Sequence, residues 1–145
     1  MYFCADVKVS TDCLPTFNNA FQMEKTTKTT VILGASPKAD RYSFMATERL
    51  TKHGHPVFPI GIKAGQIGQN AIITDRPPID NVDTVTLYLN PANQEDWKEY
   101  ILSLHPKRVI FNPGTENPEF ENVLRQQNIE ALEACTLVLL STGLY

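Results

Sequence analysis

From residue 29 onward the chain alternates short runs of β-branched and aliphatic residues with longer amphipathic stretches, the pattern of a parallel sheet covered by helices. Thr30-Val31-Ile32-Leu33 is continuously apolar, as a strand buried on both faces must be, and predicts the first strand. Gly34-Ala35-Ser36-Pro37 stops it with small residues and an imino acid. Helical spacing predicts a helix over residues 43–53, capped by Ser43, with Phe44, Thr47, Leu50 and Thr51 on one stripe. Glu48, Arg49 and Lys52 then face water, and Gly54 ends the helix. Residues 56–60 predict a second strand despite Pro56 and Pro59, residues 71–73 a brief third, and residues 84–89 a fourth. A helix over 94–104 puts Trp97, Ile101 and Leu104 on one side, and Val109-Ile110-Phe111 predicts a buried strand after it. A helix over 118–127 leads into Ile129-Glu130-Ala131-Leu132, and residues 136–140 are apolar enough for a last strand or a buried tail. The expected fold class is α/β: a doubly wound, mainly parallel sheet of five to six strands with helices on both faces.

Residues 1–28 lack this order, since Val7, Val9, Phe17 and Phe21 stand among polar residues with no sustained period. They read as a poorly defined extension before a single domain over residues 29–145. Met23 precedes the polar run Glu24-Lys25-Thr26-Thr27-Lys28, which makes it a candidate natural start. An intact mass that includes the first residues would refute that start. A length of 145 residues with 42% hydrophobic and 20% charged residues is that of one globular domain. The net charge of −3, without a Lys/Arg cluster, gives no field for nucleic acid, so a polyanionic ligand would have to be held locally. No apolar run approaches the roughly 20 residues of a membrane helix, and no leader pattern opens the chain, which points to the cytoplasm. Cys4, Cys13 and Cys135 are odd in number and lack CxxC spacing, so they suggest free thiols rather than a disulfide framework or a zinc site.

Doubly wound sheets bind ligands at the carboxyl ends of their strands. In the first such loop, Gly34-Ala35-Ser36-Pro37, small side chains let backbone N–H groups approach an anion, and the Ser36 hydroxyl can donate to phosphate. The following helix adds positive potential, and Arg41 supplies charge and a forked donor. The GxGxxG fingerprint of NAD binding is missing here, as is the acidic residue about 20 positions on. Lys63 stands near that position instead, which suits a phosphorylated ribose; coenzyme A and NADP both provide one. Asn90-Pro91-Ala92 and residues 112–117 could orient a pantetheine chain or simply form turns and a helix cap.

Together, residues 31–37, Arg41-Tyr42-Ser43, residues 54–60 and residues 109–117 resemble the small single-domain CoA-binding proteins, which are similar to the CoA-binding domain of the succinyl-CoA synthetase alpha subunit. The resemblance runs from about residue 29 to the end. It implies a Rossmann-like sheet with coenzyme A, or an acyl-CoA, across its carboxyl edge. It also implies Gly34, Ala35, Ser36 and Pro37 as the phosphate-side loop, Arg41 and Ser43 as polar contacts, and Lys63 near the adenosine phosphate. Asn90 and Pro91, with Gly114, Thr115, Glu116 and Asn117, would line the rest of the groove. Family members often carry Pro-Val-Asn-Pro where this chain has Phe58-Pro59-Ile60-Gly61.

The expected function is binding of this small-molecule ligand without catalysis. The synthetases use a phosphorylated histidine in a further domain, and His53, His55 and His105 are expected at the amino edge, away from the groove. Cys135, beside an apolar run, reads as a buried inert thiol. The competing readings are an NADP- or nucleotide-dependent enzyme and a protein-interaction domain with a degenerate pocket. A homodimer or an unidentified protein partner is left open.

Overall fold

A computed structural model describes residues 26–145; the readings of Cys4, Cys13, Met23 and the rest of the first 25 positions lie outside the described residues. The elements run β1 (Thr30–Leu33), α1 (Tyr42–Lys52), β2 (Val57–Ile60), β3 (Gln66–Ile67), β4 (Asn70–Ala71) and β5 (Thr84–Leu87). They continue with α2 (Pro91–Gln94), a 3-10 turn (Glu95–Trp97), α3 (Lys98–Ser103), β6 (Arg108–Phe111), α4 (Pro118–Gln126), β7 (Glu130–Glu133) and α5 (Thr136–Thr142).

The five-stranded sheet has the order β2-β1-β5-β6-β7, and every neighbouring pair is parallel. The chain leaves β1 for one side of the sheet and then crosses back to β5 on the other. The carboxyl ends of β1 and β5 therefore flank the switch point of a doubly wound sheet. Alternation along β1 divides the core: Val31 and Leu33 pack with Val85, Leu87, Ile101, Phe120 and Leu124, while Ile32 packs with Leu50 and Leu140. Helices α1 and α5 thus cover one face, and α3 and α4 the other.

Several elements differ from the sequence expectation. Residues 71–73 add no strand to the main sheet; β3 and β4 form a separate two-residue antiparallel pair, and Ile73 makes a single bridge to Ile60. That bridge covers the outer edge of β2, where Pro59 is tolerated because an edge strand can spare an N–H. The helix expected over 94–104 is broken by the 3-10 turn, and its first turn begins earlier, at Pro91. The last strand is β7, and Thr136–Thr142 is a helix. At the opposite edge, β7 has its end residues Glu130 and Glu133 exposed around Ala131 and Leu132.

The amino edge is closed by the tail. The Tyr145 ring lies 4.5 Å from the Arg108 guanidinium and 5.1 Å from the His55 ring. Its backbone oxygen accepts from Arg108 Nη2 at 2.9 Å and from Lys28 Nζ. The Lys28 N–H donates to His55 Nδ1 at 2.9 Å, so that imidazole is held neutral at this nitrogen. Burial above all, and then the electrostatic influence of His53, Lys28 and Arg108, lower the His55 pKa below its ordinary value, against a smaller opposite pull from Asp83. No described helix is long and apolar enough to cross a membrane.

Candidate functional site

Because the strands are parallel, the loops after β1, β2, β5 and β6 all emerge at one edge, and two adjoining cavities lie among them. The first, about 560 Å³, is lined by Gly34, Ala35, Ser36 and Pro37, by Lys63, and by the Arg76–Trp97 pair among others. The second, about 400 Å³, is lined by Ser43, Asn90, Asn93, Gly114 and Thr115. Both share Gly34, Ser36, Arg41, Tyr88, Leu89 and Asn93, so they form one groove across the switch point.

The β1 loop is shaped by two glycines. Gly34 has φ +93°, and a Cβ there would stand 2.9 Å from the Tyr88 carbonyl oxygen; a Cβ on Gly61 would stand 2.2 Å from the Ala35 carbonyl oxygen. The loops after β1, β2 and β5 are thereby drawn together, and side chains larger than hydrogen cannot enter the two contacts. The amides of Gly34 and Ala35 are not available to an anion, because both donate to the Ile60 carbonyl at 3.0 and 2.9 Å. Ser36 Oγ accepts from the Lys38 N–H at 3.2 Å, while the Ser36 N–H has no partner among the described residues.

The start of α1 is unusual. Its N-cap is Arg41, not Ser43, and no side chain caps it. A guanidinium has no acceptor, so it cannot take the first-turn N–H groups. Phe44 and Met45 donate to the Arg41 carbonyl, whereas the Tyr42 and Ser43 amides have no partner among the described residues. Ser43 lies inside the first turn, buried, and lines the second cavity.

Two other helix starts at this edge carry side-chain caps. Asn90 Oδ1 accepts from the Asn93 N–H at 2.8 Å, and Asn117 Oδ1 accepts from the Phe120 N–H at 3.2 Å. Asn117 Nδ2 also donates to Gln94 Oε1 at 3.0 Å, and Gln94 Nε2 donates to the Leu89 and Thr115 carbonyls at 2.8 and 2.7 Å. Gln94 is fully buried and ties the β5 loop to the β6 loop. Asn112 does similar work: it donates to Thr86 Oγ1 and the Leu87 carbonyl and accepts from the Thr136 N–H. Thr86 and Thr136 bond each other, and the buried Tyr88 hydroxyl beside them has no partner among the described residues. Burial pushes the Tyr88 pKa up to about 12, despite the neighbouring hydroxyls of Thr136 and Thr86.

Of the residues singled out in sequence, Gly34, Ala35, Ser36, Pro37, Arg41 and Lys63 line the first cavity. Ser43, Asn90, Gly114 and Thr115 line the second. Pro91, Glu116 and Asn117 line neither: Pro91 opens α2, Glu116 Oε1 accepts from the Gly114 N–H at 3.0 Å, and Asn117 is a cap. Lys38, Arg76 and Trp97 line the groove and were not singled out. Helical spacing marks Trp97 only as part of a packing stripe and does not mark Arg76; a long crossover and a broken helix bring them together.

The first cavity gathers Lys38, Arg41, Lys63 and Arg76 against one carboxylate, Asp96, and among the described residues none of these cations makes a salt bridge. In a chain with net charge −3, this is a local basic site. A smaller cleft of about 350 Å³ between α1 and the β3–β4 pair mixes Glu48 with Arg49 and Lys52 and lies away from the switch point. The three histidines are at the amino edge or on the turns leading to it, and His105 lines a cavity there with Lys107 and Gln127. Cys135 is half-buried at the N-cap of α5 rather than fully enclosed. Among the described residues, no group of His, Cys, Asp and Glu is placed to hold a metal ion.

A family model described as a CoA binding domain matches residues 28–141. The chain is similar to an uncharacterized protein of known crystal structure at 54% identity, over 83% of this chain and 99% of that one, with TM-score 0.81. A Thermus thermophilus protein matches at 22% identity over 90% of this chain and 98% of its own, with TM-score 0.72. A hypothetical protein from Pyrococcus horikoshii matches at 19% identity over 95% and 98%, with TM-score 0.73. These last two likenesses are of fold alone. Comparison with curated proteins found no match.

Proposed function

The chain belongs to the CoA-binding domain family, and from that premise we propose that it binds coenzyme A or an acyl-CoA in the groove at the carboxyl edge, without catalysis of its own. The observation that supports this reading is the order of charge along the groove. Lys63 and Arg76 line only the first cavity, Ser36 and Arg41 line both, and the neutral hydroxyls and amides of Ser43, Asn90 and Thr115 line only the second. Coenzyme A has the same order: a phosphorylated ribose, a pyrophosphate, then an uncharged pantetheine.

The donor set fits the coenzyme. Arg41 and the free amides of Ser36, Tyr42 and Ser43 would hold the pyrophosphate, since unpaired first-turn N–H groups and a nearby guanidinium both favour an anion. Thr115, Asn90 and Asn93 would take the amides of the pantetheine arm. The coenzyme's contribution is a thiol able to carry an acyl group as a thioester. The protein's own residues would bind and orient it, and among the described residues the groove lining holds one carboxylate, Asp96, and no histidine.

Calorimetry with CoA, acetyl-CoA, NADP and NAD tests this reading. CoA-selective heat is the expected result. NADP selectivity would favour a nucleotide-dependent enzyme, and no heat from any of the ligands would leave a protein-interaction domain; either would overturn the proposal.

A further inference from the structure

We infer that Arg76, held over the Trp97 ring, reads the ribose 3′-phosphate together with Lys63, so that the groove separates a 3′-phosphorylated nucleotide from its dephosphorylated form. This inference rests on the groove reading above and adds the residue that sets its specificity.

Arg76 is exposed, yet it is fixed. Its guanidinium carbon lies 4.0 Å from the centroid of the Trp97 ring, and Nη1 donates to the Asp96 carbonyl at 2.7 Å. The chain around it is pinned as well. The Arg76 N–H donates to Asp75 Oδ1 at 2.8 Å, and the Tyr100 hydroxyl donates to the Pro77 carbonyl at 2.7 Å. Tyr100 in turn packs edge-on against Trp97, with centroids 5.8 Å apart and an interplanar angle of 71°. Trp97 is therefore the platform and Tyr100 its support.

A guanidinium carries five N–H donors, and Arg76 uses one of its own on Asp96. No carboxylate lies within ion-pair distance of Arg76 or Lys63 among the described residues. An arginine whose rotamer is already locked loses little further freedom when it meets an anion, and its planar fork matches two phosphate oxygens at once. A phosphate monoester offers three terminal oxygens and up to two negative charges, which suits this fork and a lysine in the same cavity. A pyrophosphate, with each phosphorus bridged, is better matched to Arg41 and the amides of α1. The two cation groups are therefore complementary to the two phosphate groups of one ligand.

The test is a titration of the full chain with CoA and with dephospho-CoA, by calorimetry and by the fluorescence of Trp97, the chain's single tryptophan. The wild-type protein is expected to prefer CoA by about ten- to a hundredfold, the range of a charge-assisted contact. Arg76→Ala should lose most of that preference while keeping its affinity for dephospho-CoA, and Arg76→Lys should keep part of it. Equal wild-type affinity for both nucleotides overturns the inference but leaves the groove reading intact. So does an Arg76→Ala protein that keeps the full preference, or one that loses both affinities equally. Binding of neither nucleotide to the wild type overturns the groove reading, and this inference falls with it.

Discussion

The starts of α1 and α4 face the same edge of the sheet, and their first turns are finished by different chemistry. At α4, Asn117 accepts from the Phe120 N–H and Glu121 Oε2 accepts from the Asn117 N–H, so the protein fills its own orphan donors. At α1 the corresponding position is Arg41, which cannot accept at all. The same sheet thus presents one helix end with a side-chain cap and another that has none among the described residues. A cap is worth about 1 kcal/mol, a stabilisation that the unfilled end leaves to water or to a bound anion. The contrast separates positions that hold the groove in shape from positions open to a ligand.

The largest expected effect comes from removing the frame on which the open end rests. Gly61→Ala drives a methyl group into the Ala35 carbonyl, and backbone on both sides leaves little room to yield. A loss of about 3 kcal/mol in urea unfolding is expected, with loss of CoA binding by calorimetry. Unchanged stability would show that the β1 and β2 loops are not locked together as described.

Arg41→Asp makes α1 resemble α4. It supplies a capping acceptor where none exists and should raise stability by about 1 kcal/mol. It also removes a cation from the groove and adds an anion, so CoA affinity should fall by about a hundredfold. A variant that gains stability and keeps its affinity would dissociate the α1 start from the ligand.

The converse change, Asn117→Ala, empties the cap of α4 and leaves Gln94 Oε1 without its donor. Stability should drop by about 2 kcal/mol, with a smaller effect on CoA affinity than Arg41→Asp has. A larger loss of binding than in Arg41→Asp would mean that Asn117 touches the ligand.

The smallest effect is a control at the opposite edge. His55 has a folded-state pKa below its unfolded value, so the unfolded chain binds the proton more readily. Its stabilising contribution is present above the ordinary histidine pKa and declines as pH falls through it toward the lowered folded value. Unfolding free energy measured across that acidic window should decrease, and His55→Asn should flatten the slope. CoA affinity in the same window should not follow His55; an affinity that tracks it would couple the two edges.

Much of the fold was legible in sequence, whereas the contrast between the two helix starts was not, because Ser43 reads as a cap but lies inside the first turn of α1. β-Branched runs such as residues 30–33 and 84–87 identify strands because a doubly covered strand has no polar position to spare. Once the strands are parallel, their loops must share an edge, which is why Gly34, Ser36, Arg41, Lys63 and Thr115 group together from sequence alone. What remained hidden depends on partners distant in sequence. That the Gly34 and Ala35 amides are consumed by the Ile60 carbonyl follows from how β2 ends, not from the Gly-Ala-Ser motif. Arg76 and Trp97 meet across a crossover without regular helix, so no period announces that contact. Residues 136–140 are as apolar as a strand, but α5 packs them with α1, and β7 takes the sheet edge with a less apolar sequence.

That edge has a consequence of its own. An outermost strand offers unpaired peptide groups to any similar strand, and exposed Glu130 and Glu133 surround the short Ala131-Leu132 centre of β7 with like charge that repels a second copy. Hydrogen bonding and repulsion from Glu121 raise the Glu133 pKa above the ordinary carboxylate value. In mildly acidic solution Glu133 is thus neutralised ahead of an ordinary glutamate, which removes part of the like-charge guard on this strand edge.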